Sequence, residues 1–258
     1  MAKVYVIGAM KGGTAKTSTV FNLAYSLAEK NKKVLAVDLD PQSNLTTCFG
    51  AEDVDVTIGD LMMNVLEEEE LPDKSEYIWE RNGVDFIPAS MMLSAVDAKL
   101  RLEMGTEKIL SRILDGVKED YDFVLLDTCP SLGALTINAL SAADEVIVTA
   151  NPQLLAMMGL QDFLKTVTKI KNRVNQGLNV AGILLTMCEA RTILCKTIVE
   201  EVEKTFDGEL KVFKSRIPNT VKVGESIYYG EPLLEYAPES KACAAYQGLA
   251  REVIAYEG

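Results

Sequence analysis

The 258-residue chain contains no histidine. That removes imidazole as a general base, a metal ligand and a neutral-pH switch, so any chemistry must use carboxylates, lysines, hydroxyls, backbone amides and a bound ion. The five cysteines (Cys48, Cys129, Cys188, Cys195 and Cys243) are scattered, with no CxxC pair among them. Such a set fits reduced thiols better than a disulfide frame or a zinc site. No apolar run approaches the ~20 residues of a membrane-spanning helix. The start, Lys3-Val4-Tyr5-Val6-Ile7-Gly8, is too short and strand-like for a signal peptide, and a cytoplasmic protein is expected. A basic excess is missing as well. With 26 Lys and Arg against 38 Asp and Glu, the net charge is −12, so any nucleic-acid face is confined to a local patch.

What is present alternates between strand-like and helix-like segments. Lys3 to Gly8 is a β-branched run followed by a glycine-rich turn, and from Lys16 to Asn31 apolar residues recur at the spacing of one helix face (Val20, Leu23, Ala24, Leu27, Ala28). Lys33 to Leu39, Phe123 to Leu126, Val146 to Val148 and Gly182 to Leu185 read as further strands. A helix is expected from Leu154 to about Val174, and another from Glu239 to the end. Continuous rather than alternating apolar strands imply burial on both faces. The expectation is therefore an α/β fold: one P-loop NTPase domain over 1–258, with a mostly parallel twisted sheet and helices on both faces. Glu67 to Glu70 and the Leu71-Pro72-Asp73 that follows read as a solvated surface excursion.

The turn after the first strand carries the chemistry. Polyphosphate binding needs many backbone N–H groups converging on a small volume, glycines that allow close approach, and a helix N-terminus behind them. A lysine at the loop's end adds a point charge, and the next hydroxyl ligates magnesium. Lys16 and Thr17 occupy those two places, preceded by Lys11, Gly12, Gly13, Thr14 and Ala15 and followed by Ser18. The pattern GxxxxGK plus a hydroxyl residue is met from Gly8 to Thr17, except that Ala15 stands at the second glycine. Alanine fits there only with a negative φ or with strain tolerated.

Acids close two other predicted strands: Asp38 and Asp40 in Val37-Asp38-Leu39-Asp40-Pro41-Gln42, and Asp127 in Leu125-Leu126-Asp127-Thr128-Cys129-Pro130. In a parallel sheet the carboxyl ends of strands share one edge, where ligands sit. All three acids are expected to converge there, with Asp127 holding magnesium, Asp38 supporting the ion and Asp40 positioning the attacking water. A strand-end aspartate alone is usually only a turn or helix cap.

Together these residues resemble the ParA/Soj partition ATPases. Lys11-Gly12-Gly13-Thr14-Ala15-Lys16-Thr17 is similar to the deviant Walker A motif KGGxGKT, with its extra lysine. The likeness continues through the two acid-bearing segments, Leu185-Thr186-Met187-Cys188-Glu189-Ala190-Arg191-Thr192 and Ile217-Pro218. The resemblance implies Mg-ATP as cofactor, with Pro218 and Asn219 beside the nucleotide. It also implies an ATP-dependent sandwich homodimer in which Lys11 reaches the partner's phosphates. Non-specific DNA binding through Arg191 and Lys222 follows from it, as does hydrolysis stimulated by a ParB-like centromere-binding protein and nucleoid association in the ATP state. Lys211, Lys214 and Arg216 lie nearby and read as ordinary surface charge, while Glu209 and Glu225 dilute the patch. With the first strand at Lys3, the short, Soj-like form without an N-terminal DNA-binding extension is expected.

Two relatives that share these motifs fit less well. A MinD-type membrane ATPase needs a basic amphipathic tail, whereas the chain closes on Arg251-Glu252-Val253-Ile254-Ala255-Tyr256-Glu257. A nitrogenase-type iron–sulfur ATPase needs a second suitably placed cysteine, and none lies between Cys48 and Cys129. An ATP-bound module with little turnover is the alternative from another class.

Overall fold

The computed structural model describes residues 2–51 and 54–257, with backbone alone for 154–158. Seven strands form one sheet: β1 Lys3–Gly8, β2 Val34–Leu39, β3 Trp79–Arg81, β4 Val84–Ile87, β5 Phe123–Thr128, β6 Glu145–Ala150 and β7 Asn179–Leu185. Their spatial order is β3-β4-β2-β5-β1-β6-β7. Every pairing is parallel except the β3–β4 hairpin at one edge.

Alternate strand residues feed two cores, because successive side chains leave a strand on opposite faces. Val4, Val6, Val124 and Leu126 join the helices Leu93–Leu102, Ala134–Ala142 and Leu154–Arg173 on one side. Tyr5, Ile7, Ala36 and Leu125 pack on the other, under Lys16–Ala28 and Lys241–Glu257. Each such buried aliphatic side chain contributes roughly 1.5–3 kcal/mol over exposure, which is why the strands read as unbroken apolar runs. The expected α/β architecture is the one observed.

The stretch Glu67 to Asp73 is the irregular surface excursion expected, while the rest of the segment between β2 and β5 carries elements that the sequence reading did not name. Glu67 to Glu70 are exposed, but around them stand the helices Ile58–Leu66 and Leu93–Leu102 and the β3–β4 hairpin. The hairpin's signal was Asn82-Gly83, both at positive φ (50° and 80°), the pairing that two-residue turns favour. Thr57 and Asp60 close a capping box on the first of those helices, the sequence signature of a helix start.

Candidate functional site

The chain leaves β1 at Gly8 and enters the helix Lys16–Ala28 at Lys16. The intervening loop is shaped by two backbone demands. A Cβ on Gly8 would lie 2.4 Å from Cζ of Phe163, so no side chain fits where the loop begins. Gly13 adopts φ +72°. Ala15 does the same without being glycine: it sits at φ 59°, ψ 35°. Strain is therefore tolerated here rather than avoided, at roughly 1–2 kcal/mol for an L residue.

Threonines outside the motif hold the loop in this shape. The Thr149 hydroxyl at the end of β6 donates to Oγ1 of Thr14 at 3.0 Å. Thr186, just past β7, donates to the Thr14 carbonyl at 3.0 Å. Thr19 donates to the Ala15 carbonyl at 2.7 Å. Sequence reasoning did not single out Thr149, because a threonine at a strand end carries no motif of its own, and it named Thr186 only as part of the segment Leu185 to Thr192.

A cavity of about 550 Å³ lies over the loop, lined by Gly12 to Ser18 together with Asp40, Asn44, Pro130 and Tyr228. A second, of about 340 Å³, shares Gly13, Ala15 and Ser18 with it and is walled by Met187, Ile217, Pro218 and Asn219. The first offers amides and a lysine, as phosphates require, and the second is mostly apolar, as a base requires. Pro218 and Asn219, expected beside the nucleotide, both line this second cavity. A larger cavity, about 650 Å³, opens elsewhere between Leu100 and Asn138. It lacks both the loop amides and the lysine, so it is not the phosphate site. Lys16 is buried (7 % exposed) and forms no ion pair among the described residues. Lys11 is exposed, does not line its own phosphate cavity, and meets Oε1 of Gln153 at 3.4 Å.

The acids differ sharply. Asp127 is fully buried (0 % exposed), and neither carboxylate oxygen has a hydrogen-bond partner. Burial raises its pKa well above the ordinary value, the neighbouring Asp38 charge raises it further, and the nearness of Thr17 and Lys16 only partly offsets this. Two desolvated oxygens without a donor, beside the Thr17 hydroxyl, fit a hard dication. Among the described residues no cluster of three acids or thiols could hold a metal unaided. This suits magnesium, which takes most of its ligands from phosphate and water.

Asp38, expected to support the ion, has both oxygens engaged within the protein. One of its oxygens accepts from the Asp40 amide at 3.0 Å, and the other from the Thr46 amide and hydroxyl at 2.9 and 2.8 Å. Burial still raises its pKa, against the pull of those hydrogen bonds. The side chain braces the turn that presents Asp40, and the three acids lie close enough that the charges of Asp38 and Asp40 both act on Asp127. Asp40 accepts from the Gln42 amide through one oxygen, and its other oxygen accepts no hydrogen bond among the described residues. It lines the phosphate cavity.

The two expected DNA residues share the same edge of the sheet. Cys188 and Pro218 form a parallel bridge, three residues before Arg191 and four before Lys222. Arg191 is exposed and without an ion pair among the described residues. Lys222 is exposed but engaged: its Nζ lies 2.9 Å from Glu225 and 5.3 Å above the Tyr236 ring. Arg216 is paired with Glu203, and Lys211 sits over Phe213.

Comparison with known proteins identifies the family. The family described as "AAA domain" matches residues 2–180. The sporulation initiation inhibitor protein Soj of Bacillus subtilis is 38% identical over 257 residues, covering 99% of each chain. The chromosome-partitioning ATPase Soj of Treponema pallidum is 36% identical, covering 100% of this chain and 99% of its own. Among solved structures, cobyrinic acid a,c-diamide synthase from Mycobacterium smegmatis with bound ATP analog and magnesium superposes with a TM-score of 0.85. It is 30% identical, covering 100% of this chain and 96% of that one. Likeness along the entire chain, and not the loop alone, decides the assignment: the protein belongs to the ParA/Soj partition ATPases, P-loop enzymes that use Mg-ATP.

Proposed function

We propose that Mg-ATP closes two copies of this chain face to face, that the closed dimer binds DNA without sequence preference, and that partner-stimulated hydrolysis resets it. The carrying observation is Lys11. A lysine in a phosphate loop that stands exposed outside its own phosphate cavity is placed to serve another chain's nucleotide. A cation supplied across an interface neutralises charge that develops on the transferring phosphoryl group.

Within one chain the remaining residues divide the work. The amides from Gly12 to Ser18 cradle the phosphates, and the buried Lys16 supplies positive charge in a low-dielectric setting where it acts strongly. Asp127 and Thr17 would hold magnesium, which when bound neutralises phosphate charge. Asp40 orients the attacking water through its uncommitted oxygen, and Asp38 keeps Asp40 in place through the 3.0 Å hydrogen bond to its amide. Pro218 and Asn219 flank the base, and Asn219 is itself fixed by donating to Glu189 at 2.9 Å. Arg191 and Lys222 meet the DNA backbone, where contact is electrostatic and salt-sensitive.

A salt titration of DNA binding with ATP, ADP and no nucleotide tests the reading. Binding that appears with ATP alone and weakens steeply with salt supports it. Binding that is indifferent to nucleotide rejects the cycle.

A further inference from the structure

One helix walls both cavities of the candidate site. Thr220 caps the helix Val221–Tyr229 by accepting from the Lys222 amide, and Gly230, at φ +63°, ends it. Thr220, Val223 and Gly224 line the mostly apolar cavity, whereas Ile227 and Tyr228 line the phosphate cavity. These positions recur at intervals of three and four, the spacing of one helix face. Both cavities are lined on the loop side by the same three residues, Gly13, Ala15 and Ser18. In chain order Gly224 is the last residue on the apolar cavity before those on the phosphate cavity.

Nothing within the protein calls for glycine at that position. Its φ is not among the positive ones, so the backbone conformation suits any L residue. Gly230 and not Gly224 ends the helix, and glycine in a helix interior is less favourable than alanine. Packing does not exclude a side chain either. A Cβ on Gly224 would meet no other part of the described protein within 4 Å, in contrast to the Cβ that Phe163 forbids at Gly8. The other four residues of this face all carry side chains, up to the 82 % exposed Tyr228. What the missing side chain leaves open is room in the cavity itself.

We infer that Gly224 keeps open the space for the sugar of the bound nucleotide, and that this position sets how well the chain holds a nucleotide relative to a bare polyphosphate. The sugar is the part of a nucleotide that joins base to phosphate. Gly224 stands on the wall shared by a cavity suited to the one and a cavity suited to the other. The inference rests on reading the two cavities as one nucleotide site, and it names the residue that admits the sugar.

Mg-ADP is the probe, read by isothermal titration, with millimolar pyrophosphate and magnesium as the ligand that lacks a sugar. Gly224→Ala should raise the melting temperature of the ligand-free chain by about 2–4 °C, because alanine favours the helix. The same variant should bind ADP about tenfold more weakly, the effect of a methyl group forced into space that a ligand fills. Gly224→Leu should lose more. Pyrophosphate should raise the melting temperature of parent and variant by the same amount. Val221→Ala, at an exposed position of the same helix that lines neither cavity, should keep ADP affinity within about twofold. A stabilised Gly224→Ala chain with unchanged ADP affinity overturns the inference. So does an equal loss for ADP and pyrophosphate, or an equal loss of ADP affinity in Val221→Ala. A parent chain that binds neither ligand overturns the nucleotide site itself, a result distinct from each of these.

Discussion

Asp38 and Asp127 face each other in register across β2 and β5, one with both oxygens engaged and the other with neither. The pairing separates their roles. Asp38 is hydrogen-bonded locally by the Thr46 and Asp40 donors, whereas Asp127 keeps two buried oxygens without a partner. A fold without ligand holds such a carboxylate at a cost, and a bound cation removes that cost.

Asp127→Asn should therefore raise the melting temperature of the nucleotide-free protein while abolishing hydrolysis. An amide does not carry the buried charge, and a gain of about 1–3 kcal/mol, or roughly 3–10 °C, is expected. The sign with pH follows from the raised pKa. The charged form is disfavoured in the fold, so Asp127 costs nothing below its unfolded value and progressively more as pH rises through the folded one. The stability difference between variant and parent should thus widen from about pH 5 to about pH 8. A calorimetric series over that range measures it. A parent enzyme that gains no stability from Mg-ATP would contradict the same account.

Ala15→Gly should stabilise the chain. Relief of left-handed strain gives about 1–2 kcal/mol, and the extra freedom of glycine in the unfolded chain offsets roughly half. A net gain of about 0.5–1 kcal/mol in urea unfolding is the expected outcome. Ala15→Val should lose more than that, because a β-branched residue tolerates positive φ least.

Lys16→Ala should weaken ATP binding by about 100-fold or more while leaving the fold intact. The lysine is buried without an ion-pair partner among the described residues, so its loss breaks no salt bridge. Isothermal titration reads the affinity and circular dichroism the fold. Unchanged affinity would remove the loop from the phosphate site.

Asp40→Ala should keep ATP affinity within a few-fold and lower the hydrolysis rate by roughly 100- to 10,000-fold, the range for a lost acid–base group. Single-turnover phosphate release distinguishes the two effects. Normal turnover would show that another group positions the water.

DNA affinity should respond to Lys222 in both directions. Lys222→Ala and Arg191→Ala should each weaken binding and reduce the salt slope by about one. Glu225→Gln should strengthen binding by a few-fold, because it releases Lys222 from a surface pair worth less than about 1 kcal/mol. Filter binding at several salt concentrations gives both quantities.

Several features of this site were present in the residue order itself. The unbroken apolar runs set a two-sided sheet, because only strands buried on both faces avoid alternation. The spacing from Gly8 to Thr17 set a phosphate loop, since close approach, positive charge and a hydroxyl must follow in that order to meet a polyphosphate. The hairpin at Asn82-Gly83 carried a signal in the sequence as well, the dipeptide that two-residue turns favour, but the reading did not use it.

Other features existed only once the chain was folded. Thr149 and Thr186 become loop braces because β6 and β7 end beside the phosphate loop, a proximity between positions 135 and 172 residues away from Thr14. Asp38 and Asp127 carry the same side chain at the end of the same kind of strand, and their sequences do not say which would be left bare. Hydrogen-bond donors brought in from Thr46 and Asp40 made that choice. Local order thus determined which groups the site contains, since spacing alone limits what a loop can bind. Tertiary packing decided their charge states and partners, because desolvation and hydrogen bonding depend on neighbours distant along the chain.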